Sequence, residues 1–108
     1  MYEVIESTRR TPEGREIRTF IRDVVSCNIL EVEAGTTGYK GGDSAYGCAT
    51  YFRIQDEACT DITVNPLGYR GDEGFEVVLG GDTELSTIIT ALKFIVKVLE
   101  EESQGVNT

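Results

Sequence analysis

The strongest pattern of apolar and polar positions lies near the C-terminus. Between residues 82 and 102, apolar side chains recur at intervals of three and four, the spacing that places them on one face of an α-helix. Asp82 or Thr83 is a suitable N-cap, and Gly105 lies past the last apolar turn. The pattern therefore predicts a long helix that packs on a sheet through the stripe Leu85, Ile88, Ile89, Leu92, Ile95, Val96 and Leu99.

The apolar surface of this predicted helix is wider than one sheet face requires. Ala91, Phe94 and Val98 extend the stripe sideways and leave a polar arc only about 100° wide. Either an N-terminal helix covers these three residues, or they contribute to an interface with another protein. The first interpretation, which is slightly favoured, makes the protein a monomer, and the second makes it a homodimer.

Four segments in the middle of the chain alternate apolar and polar residues, which predicts β-strands. In the first of them, Leu30, Val32 and Ala34 share one face, while Glu31 and Glu33 point to the other. Turn-forming residues separate the segments, and residues 67–74 are predicted to form an exposed loop. This arrangement is typical of an antiparallel sheet with one solvated face, built from residues 28–34, 50–55, 61–65 and 75–79.

The N-terminal quarter has a less decisive pattern. Residues 1–6 alternate weakly, as in a short strand, and residues 7–14 are predicted to form a polar turn. Thr11 and Pro12 suit the N-cap and first position of a helix, and the spacing after them is helical, although the β-branched content favours a strand. We predict a helix over residues 12–25, with an apolar face formed by Ile17, Phe20, Ile21, Val24 and Val25.

These patterns together predict one α+β domain over residues 1–108. Its antiparallel sheet of about four strands is packed by the long C-terminal helix, and by the N-terminal helix if that helix forms. Residues 1–14 and 103–108 are expected to be loose.

Composition excludes several kinds of chemistry. The chain has no histidine, which removes the Ser-His-Asp triad, the Cys-His pair and the histidine general base. Cys27, Cys48 and Cys59 form no CxxC pair, so they are expected to be reduced thiols, one or more of them in the core. With no secretory signal or membrane span in the sequence, we expect a cytoplasmic protein. Because histidine is absent and the spacing of the carboxylates is not specific for a site, we expect no enzyme activity, no cofactor and no metal.

The net charge of −9 comes entirely from residues 27–108, which carry fourteen acidic and five basic residues. Such a chain repels nucleic acids and anionic membranes and attracts a basic protein surface, for example a nucleic-acid-binding groove. The alternative is that the acidity serves solubility alone. The predicted partner-binding acidic face consists of Glu31, Glu33, Asp56, Glu57, Asp72 and Glu73.

Residues 35–47 include five glycines and form the candidate ligand loop. Glycines let backbone N–H groups approach an anion, hydroxyl and ammonium groups donate to phosphate, and tyrosine rings stack on a base. The segment lacks the spacing of a Walker A loop or a GxGxxG turn, and a flexible surface loop is the alternative. Its candidate ligand-binding residues are Thr36, Thr37, Tyr39, Lys40, Gly41, Gly42, Asp43, Ser44 and Tyr46.

Three stretches carry a resemblance: the run from Leu30 to Asp43, Thr50-Tyr-Phe-Arg-Ile54, and Leu79-Gly-Gly-Asp-Thr-Glu-Leu85. In them the chain resembles small acidic uncharacterised proteins of Gram-positive bacteria and their phages or mobile elements. The resemblance implies no catalytic role. In size, acidity and lack of enzyme motifs, the chain is also similar in type to anti-CRISPR and other anti-defence proteins.

The function predicted from the sequence is that of a non-catalytic interaction protein. In this interpretation it is a phage or mobile-element inhibitor whose acidic face blocks a basic nucleic-acid-binding site of a host effector. The alternative is a small-ligand binder whose Gly-rich loop sequesters a nucleotide-like signal.

Overall fold

The computed structural model describes residues 2–38 and 48–104. The elements are β1 (Ile5–Arg10), β2 (Glu16–Val25), β3 (Ile29–Thr36), β4 (Thr50–Ala58), β5 (Ile62–Leu67), β6 (Gly74–Leu79) and α1 (Asp82–Ser103). Over these residues the α+β prediction is confirmed: an antiparallel sheet has the order β1-β2-β3-β4, and α1 packs on it. The strands assigned to the sheet were partly wrong, because residues 61–65 and 75–79 belong to a separate antiparallel hairpin, β5–β6.

The prediction of a helix over residues 12–25 was wrong, because residues 16–25 of this segment form the long strand β2. The residues of β2 are buried on different faces at its two ends. Ile17 and Thr19 are covered on the face away from α1, whereas Val24 lies in the core under α1. Burial that changes face along one strand produces spacings of three and four without a helix, and the β-branched residues then fit the strand.

The β1–β2 connection replaces the predicted helix start. Thr11 does not cap a helix: its N–H donates to the carbonyl of Arg15, and its hydroxyl accepts from the Arg15 N–H. Gly14 closes the turn with positive φ, and its N–H donates to the Thr11 carbonyl. Residues 7–10, predicted to be part of a turn, extend β1 instead.

Helix α1 covers β3 and β2 with a different face from the one predicted. Ala91, Phe94, Ile95 and Val98 are buried against a core formed by Val24, Val32 and Ala34. Phe94 also meets the ring of Tyr2 edge to face, with centroids 6.3 Å apart. The sheet and the N-terminal residues thus cover the residues that were assigned to a second helix or an interface.

Most of the stripe predicted to be buried is instead exposed. Leu85, Ile89, Leu92 and Val96 are between 44% and 57% exposed. Their spacing of four, three and four residues places them in one line along α1. The helix therefore carries two apolar stripes, and only one of them packs on the four-stranded sheet.

The N-cap of α1 is Gly81, with φ 109°, and neither Asp82 nor Thr83 supplies a capping side chain. Glu84 lies over the start of the helix instead. Its carboxylate accepts from the Asp61 N–H at 3.2 Å and from the Thr83 hydroxyl at 2.9 Å, and these hydrogen bonds lower the pKa of Glu84. Glu84 thereby ties the helix to the segment that leads into β5.

The three cysteines, Cys27, Cys48 and Cys59, are all exposed. The expectation that at least one of them is a core residue was therefore wrong. Within residues 2–38 and 48–104, α1 is too polar to cross a bilayer.

Candidate protein-binding groove

The β5–β6 hairpin has one apolar face that the four-stranded sheet does not cover. Its register pairs Ile62 with Leu79, Val64 with Val77, and Pro66 with Phe75. Paired residues in an antiparallel ladder project to the same side, so these side chains share a face. The opposite face carries polar residues as well, including Thr63, Asn65 and Glu76. Such alternation is typical of a hairpin that buries one face.

That apolar face lines an open groove of about 740 Å³, here called the hairpin groove. The hairpin forms one wall, and β4 and α1 form the others through Phe52, Ile54, Ile88 and Leu92. The rings of Phe52 and Phe75 lie 6.2 Å apart, which places the tip of the hairpin beside the start of β4. The walls remain accessible: Val64 and Phe75 are each 56% exposed.

The exposed stripe of α1 extends this apolar surface. Leu92 belongs both to the stripe and to the groove lining. The two features therefore form one apolar region that includes the hairpin, the edge of the sheet and one side of the helix. Monomeric proteins rarely leave a contiguous apolar region of this kind exposed unless it binds something.

Acidic side chains lie near the two ends of the hairpin groove, and none of them belongs to its lining. Arg53 is the charged residue among the described lining residues, and it forms ion pairs with Glu31 and Glu33. Residues 54–92, which supply the hairpin and most of the lining, contain eight acidic residues and one basic residue. Asp56 and Asp61 lie where β4 leads into the hairpin, and Asp72 and Glu73 lie in the turn at its tip. All four are exposed. An apolar groove with negative charge at both ends favours a ligand that combines apolar and basic groups.

The six residues of the predicted acidic face do not lie together. Asp56, Asp72 and Glu73 flank the groove at its two ends, whereas Glu31, Glu33 and Glu57 belong to the face of the sheet away from α1. Glu33 does not contribute to an exposed face, because its side chain is fully buried. Its carboxylate accepts from Arg9, Arg53 and Thr19 at 2.6 to 3.1 Å.

These hydrogen bonds determine the ionisation of Glu33. Burial alone would raise the pKa of this carboxyl, but the hydrogen bonds from Arg9, Thr19 and Arg53 outweigh burial and lower the pKa from 4.5 to about 2. Glu31 is partly exposed and shares Arg53 through a 2.7 Å ion pair. The negative charges of Glu31 and Glu33 are therefore balanced by Arg9 and Arg53 within the protein and contribute little to the attraction of a partner.

A carboxylate cluster on the same face includes a residue that the sequence analysis did not select. The oxygens of Asp23, Glu31 and Glu57 lie within 4.8 Å of one another. The register of β2 and β3 places Asp23 opposite Glu31, a pairing that a helix over residues 12–25 concealed. Hard cations take oxygen ligands of this kind, but three surface carboxylates alone do not define a metal site.

The candidate ligand loop is described only at its start. Thr36 is buried and its hydroxyl lies 2.8 Å from that of Thr50, while the Thr37 hydroxyl accepts from the Ala49 N–H at 3.0 Å. Both hydroxyls therefore join the ends of β3 and β4. The Thr36 hydroxyl lies within donating distance of the Ala49 carbonyl and the Thr50 hydroxyl, whereas the Thr37 hydroxyl only accepts in this contact and keeps its O–H for a further hydrogen bond. The other predicted ligand-binding residues lie outside the described residues: Tyr39, Lys40, Gly41, Gly42, Asp43, Ser44 and Tyr46.

The apolar surface of the groove leaves a signal in the sequence, although the prediction placed the excess apolar surface of the helix at Ala91, Phe94 and Val98. The helix has more apolar surface than one sheet face requires, and the inward positions of residues 61–65 and 75–79 were recognised by their alternation. The alternation of apolar and polar residues does not indicate that β5 and β6 form a hairpin separate from the four-stranded sheet. No protein-family model, curated protein or solved structure matches this chain.

Proposed function

We propose that this protein is a non-catalytic interaction protein that binds a segment of a partner protein in the hairpin groove. The observation that carries the proposal is the apolar face of the β5–β6 hairpin, which borders an open groove where a core would be expected. Burying side chains such as Val64 and Phe75 stabilises a complex by roughly 25 cal/mol for each Å² removed from water.

Charge supports a partner with a basic surface over a second copy of this chain. Two copies, each with a net charge of −9, would bring the acidic ends of their grooves together and repel each other. A basic segment instead meets Asp56 and Asp61 at one end and Asp72 and Glu73 at the other. The acidic ends favour rapid, salt-sensitive association, and the apolar walls provide most of the affinity.

This proposal narrows the surface predicted from the sequence but keeps the class of partner. A nucleic-acid-binding effector offers the basic surface required, and a protein that occupies it excludes nucleic acid by competing for its charge. Inhibition of such an effector is the biological role we propose. Glu33 has no part in recognition, because it is buried.

We expect peptides selected by display on the wild-type protein to combine apolar residues with Lys or Arg. Val64→Glu should weaken the selected peptide at least tenfold, about 1.4 kcal/mol, because it places a charge on the apolar wall. Val78→Glu is the matched control, since Val78 is similarly exposed on the other face of the hairpin. Fluorescence anisotropy at several salt concentrations measures both effects.

Two results would contradict the proposal. One is a selection that enriches no sequence on the wild-type protein over the Val64→Glu variant. The other is a peptide whose affinity is lowered equally by both substitutions, which would place binding outside the groove. An affinity that does not change with salt concentration would show that the acidic residues at the ends of the groove do not contribute to binding.

A further inference from the structure

From the position of β4 we infer that the bound segment is an extended strand that pairs with the free edge of β4 and adds a fifth strand to the sheet. This inference rests on the proposed function and specifies how the partner binds. Its evidence is the lining of the groove, the register of β3 and β4, and the difference between the two edges of the sheet.

The first observation is that the groove runs along the edge of β4. Its lining includes five consecutive residues of that strand, from Thr50 to Ile54. Successive side chains of a strand point to opposite faces, so a surface that meets five in a row runs along the edge. Among the described residues β4 pairs with β3 and with no other strand, which leaves the main-chain groups on its other side without a strand partner.

The register identifies these outward main-chain groups. The Thr37 N–H donates to the Ala49 carbonyl at 3.0 Å, so Thr36 and Thr50 form a non-hydrogen-bonded pair. Alternation along the ladder directs the main chain of Tyr51 and Arg53 toward β3. Thr50, Phe52 and Ile54 therefore present their N–H and C=O groups outward, which is the pattern that an added strand requires.

The side chains at this edge determine what kind of strand fits. A strand beside β4 places every second side chain on the helix side of the sheet. There these side chains meet Phe52, Ile54 and Leu92, with the hairpin as the opposite wall. Apolar residues at alternate positions suit this environment. Lys or Arg at the two ends of the segment meets the acidic residues at the ends of the groove.

The two edges of the sheet differ in their protection against pairing. Charged side chains discourage another strand from adding to an edge, and β1 carries Glu6, Arg9 and Arg10 within six residues. Strand β4 also carries Arg53, Asp56 and Glu57, but only Arg53 lies in the part of β4 that lines the groove, where it pairs with Glu31 and Glu33. In β4 the positions whose main chain faces outward include Phe52 and Ile54. A helix bound in the groove would leave these main-chain groups unused, because its own hydrogen bonds are internal.

Hydrogen exchange followed by NMR tests the inference, with the highest-affinity peptide from the display selection as the probe. We expect the amides of Phe52 and Ile54 to exchange at least tenfold more slowly in the complex than in the free protein. The amides of Tyr51 and Arg53, which already pair with β3, provide the internal control. N-methylation of the peptide should weaken binding at least tenfold at alternate residues and less than threefold at those between.

The outcomes separate this inference from the proposed function. A peptide that binds in a Val64-dependent manner but leaves the exchange of Phe52 and Ile54 unchanged would overturn strand addition and retain the groove. Loss of affinity on N-methylation at every interior residue would indicate a helical ligand and would also overturn it. If no peptide depends on Val64, both proposals fail.

Discussion

Glu33→Gln is expected to lower the free energy of unfolding at pH 7 by about 3 kcal/mol. The substitution keeps the size of the side chain but removes the charge that holds Arg9, Arg53 and Thr19 around it. Removing one member of a buried charged network leaves the others without compensation, which costs more than the loss of one hydrogen bond. The loss should appear as a lower midpoint in urea with an unchanged slope.

The same network predicts how stability depends on pH. The pKa of Glu33 is about 2 in the folded protein, below its ordinary value of 4.5. A carboxyl with a depressed pKa stabilises the fold fully above its unfolded pKa, and this contribution is lost as the pH falls through the folded pKa. The wild-type protein should therefore lose stability between about pH 4.5 and pH 2, and the Glu33→Gln variant should lose less over that interval.

Glu31→Gln is the matched control for this experiment. Glu31 lies on the same strand and also contacts Arg53, but its side chain is 29% exposed. Partly exposed ion pairs contribute little, so we expect a loss below about 1 kcal/mol and nearly unchanged acid sensitivity. Equal losses for the two variants would show that Glu33 has no special role in the fold.

The fate of Glu33 shows where sequence reasoning stops. Alternation correctly separated Glu33 from the core residues Val32 and Ala34 of the same strand. Its burial depends on Arg9 and Arg53, which lie 24 and 20 residues away in the chain. Arg9 reaches Glu33 because β1 extends to Arg10, whereas the sequence predicted a turn there. The partners that allow a charged residue to be buried come from other strands. The alternation within its own strand does not identify those partners.

Strand β2 illustrates the same limit for secondary structure. A helix or strand pattern predicts correctly when one face is buried along the whole element. In β3 this condition holds at Leu30, Val32 and Ala34, and the strand was predicted. In β2 the covered face changes between Thr19 and Val24, so the local pattern imitated a helix. Tertiary contacts decided the outcome against the local signal.

The hairpin groove was partly predictable for a related reason. The strands β5 and β6 and the long helix all follow from local patterns. Whether the apolar face of the hairpin packs on the sheet or remains open depends on the connections around Asp61 and Gly80, which no periodicity describes. The Gly80 N–H donates to the Asp61 carbonyl and closes the base of the hairpin apart from β4. The sequence thus indicated that the helix has more apolar surface than the sheet can cover. It did not indicate which residues of the helix remain exposed beside the hairpin.

Phe94→Glu is expected to unfold the protein, whereas Val96→Glu is expected to leave it folded. Phe94 is 4% exposed in the core beneath α1, so a carboxylate there is desolvated at a cost of several kcal/mol. Val96 is 52% exposed two residues later, where glutamate changes the stability by under about 0.5 kcal/mol. Circular dichroism during urea unfolding, with light scattering for the molecular mass, tests both variants.

The pair of variants also decides which apolar stripe of α1 faces the sheet. If the stripe containing Leu92 and Val96 were the buried one, Val96→Glu would unfold the protein and Phe94→Glu would not. A wild-type dimer that Phe94→Glu converts into a folded monomer would place Phe94 in an interface and contradict the packing against Val24 and Val32. Because the exposed stripe adjoins the hairpin groove, a folded Val96→Glu variant would show that the fold does not need this stripe, which in the wild-type protein is then open to a partner.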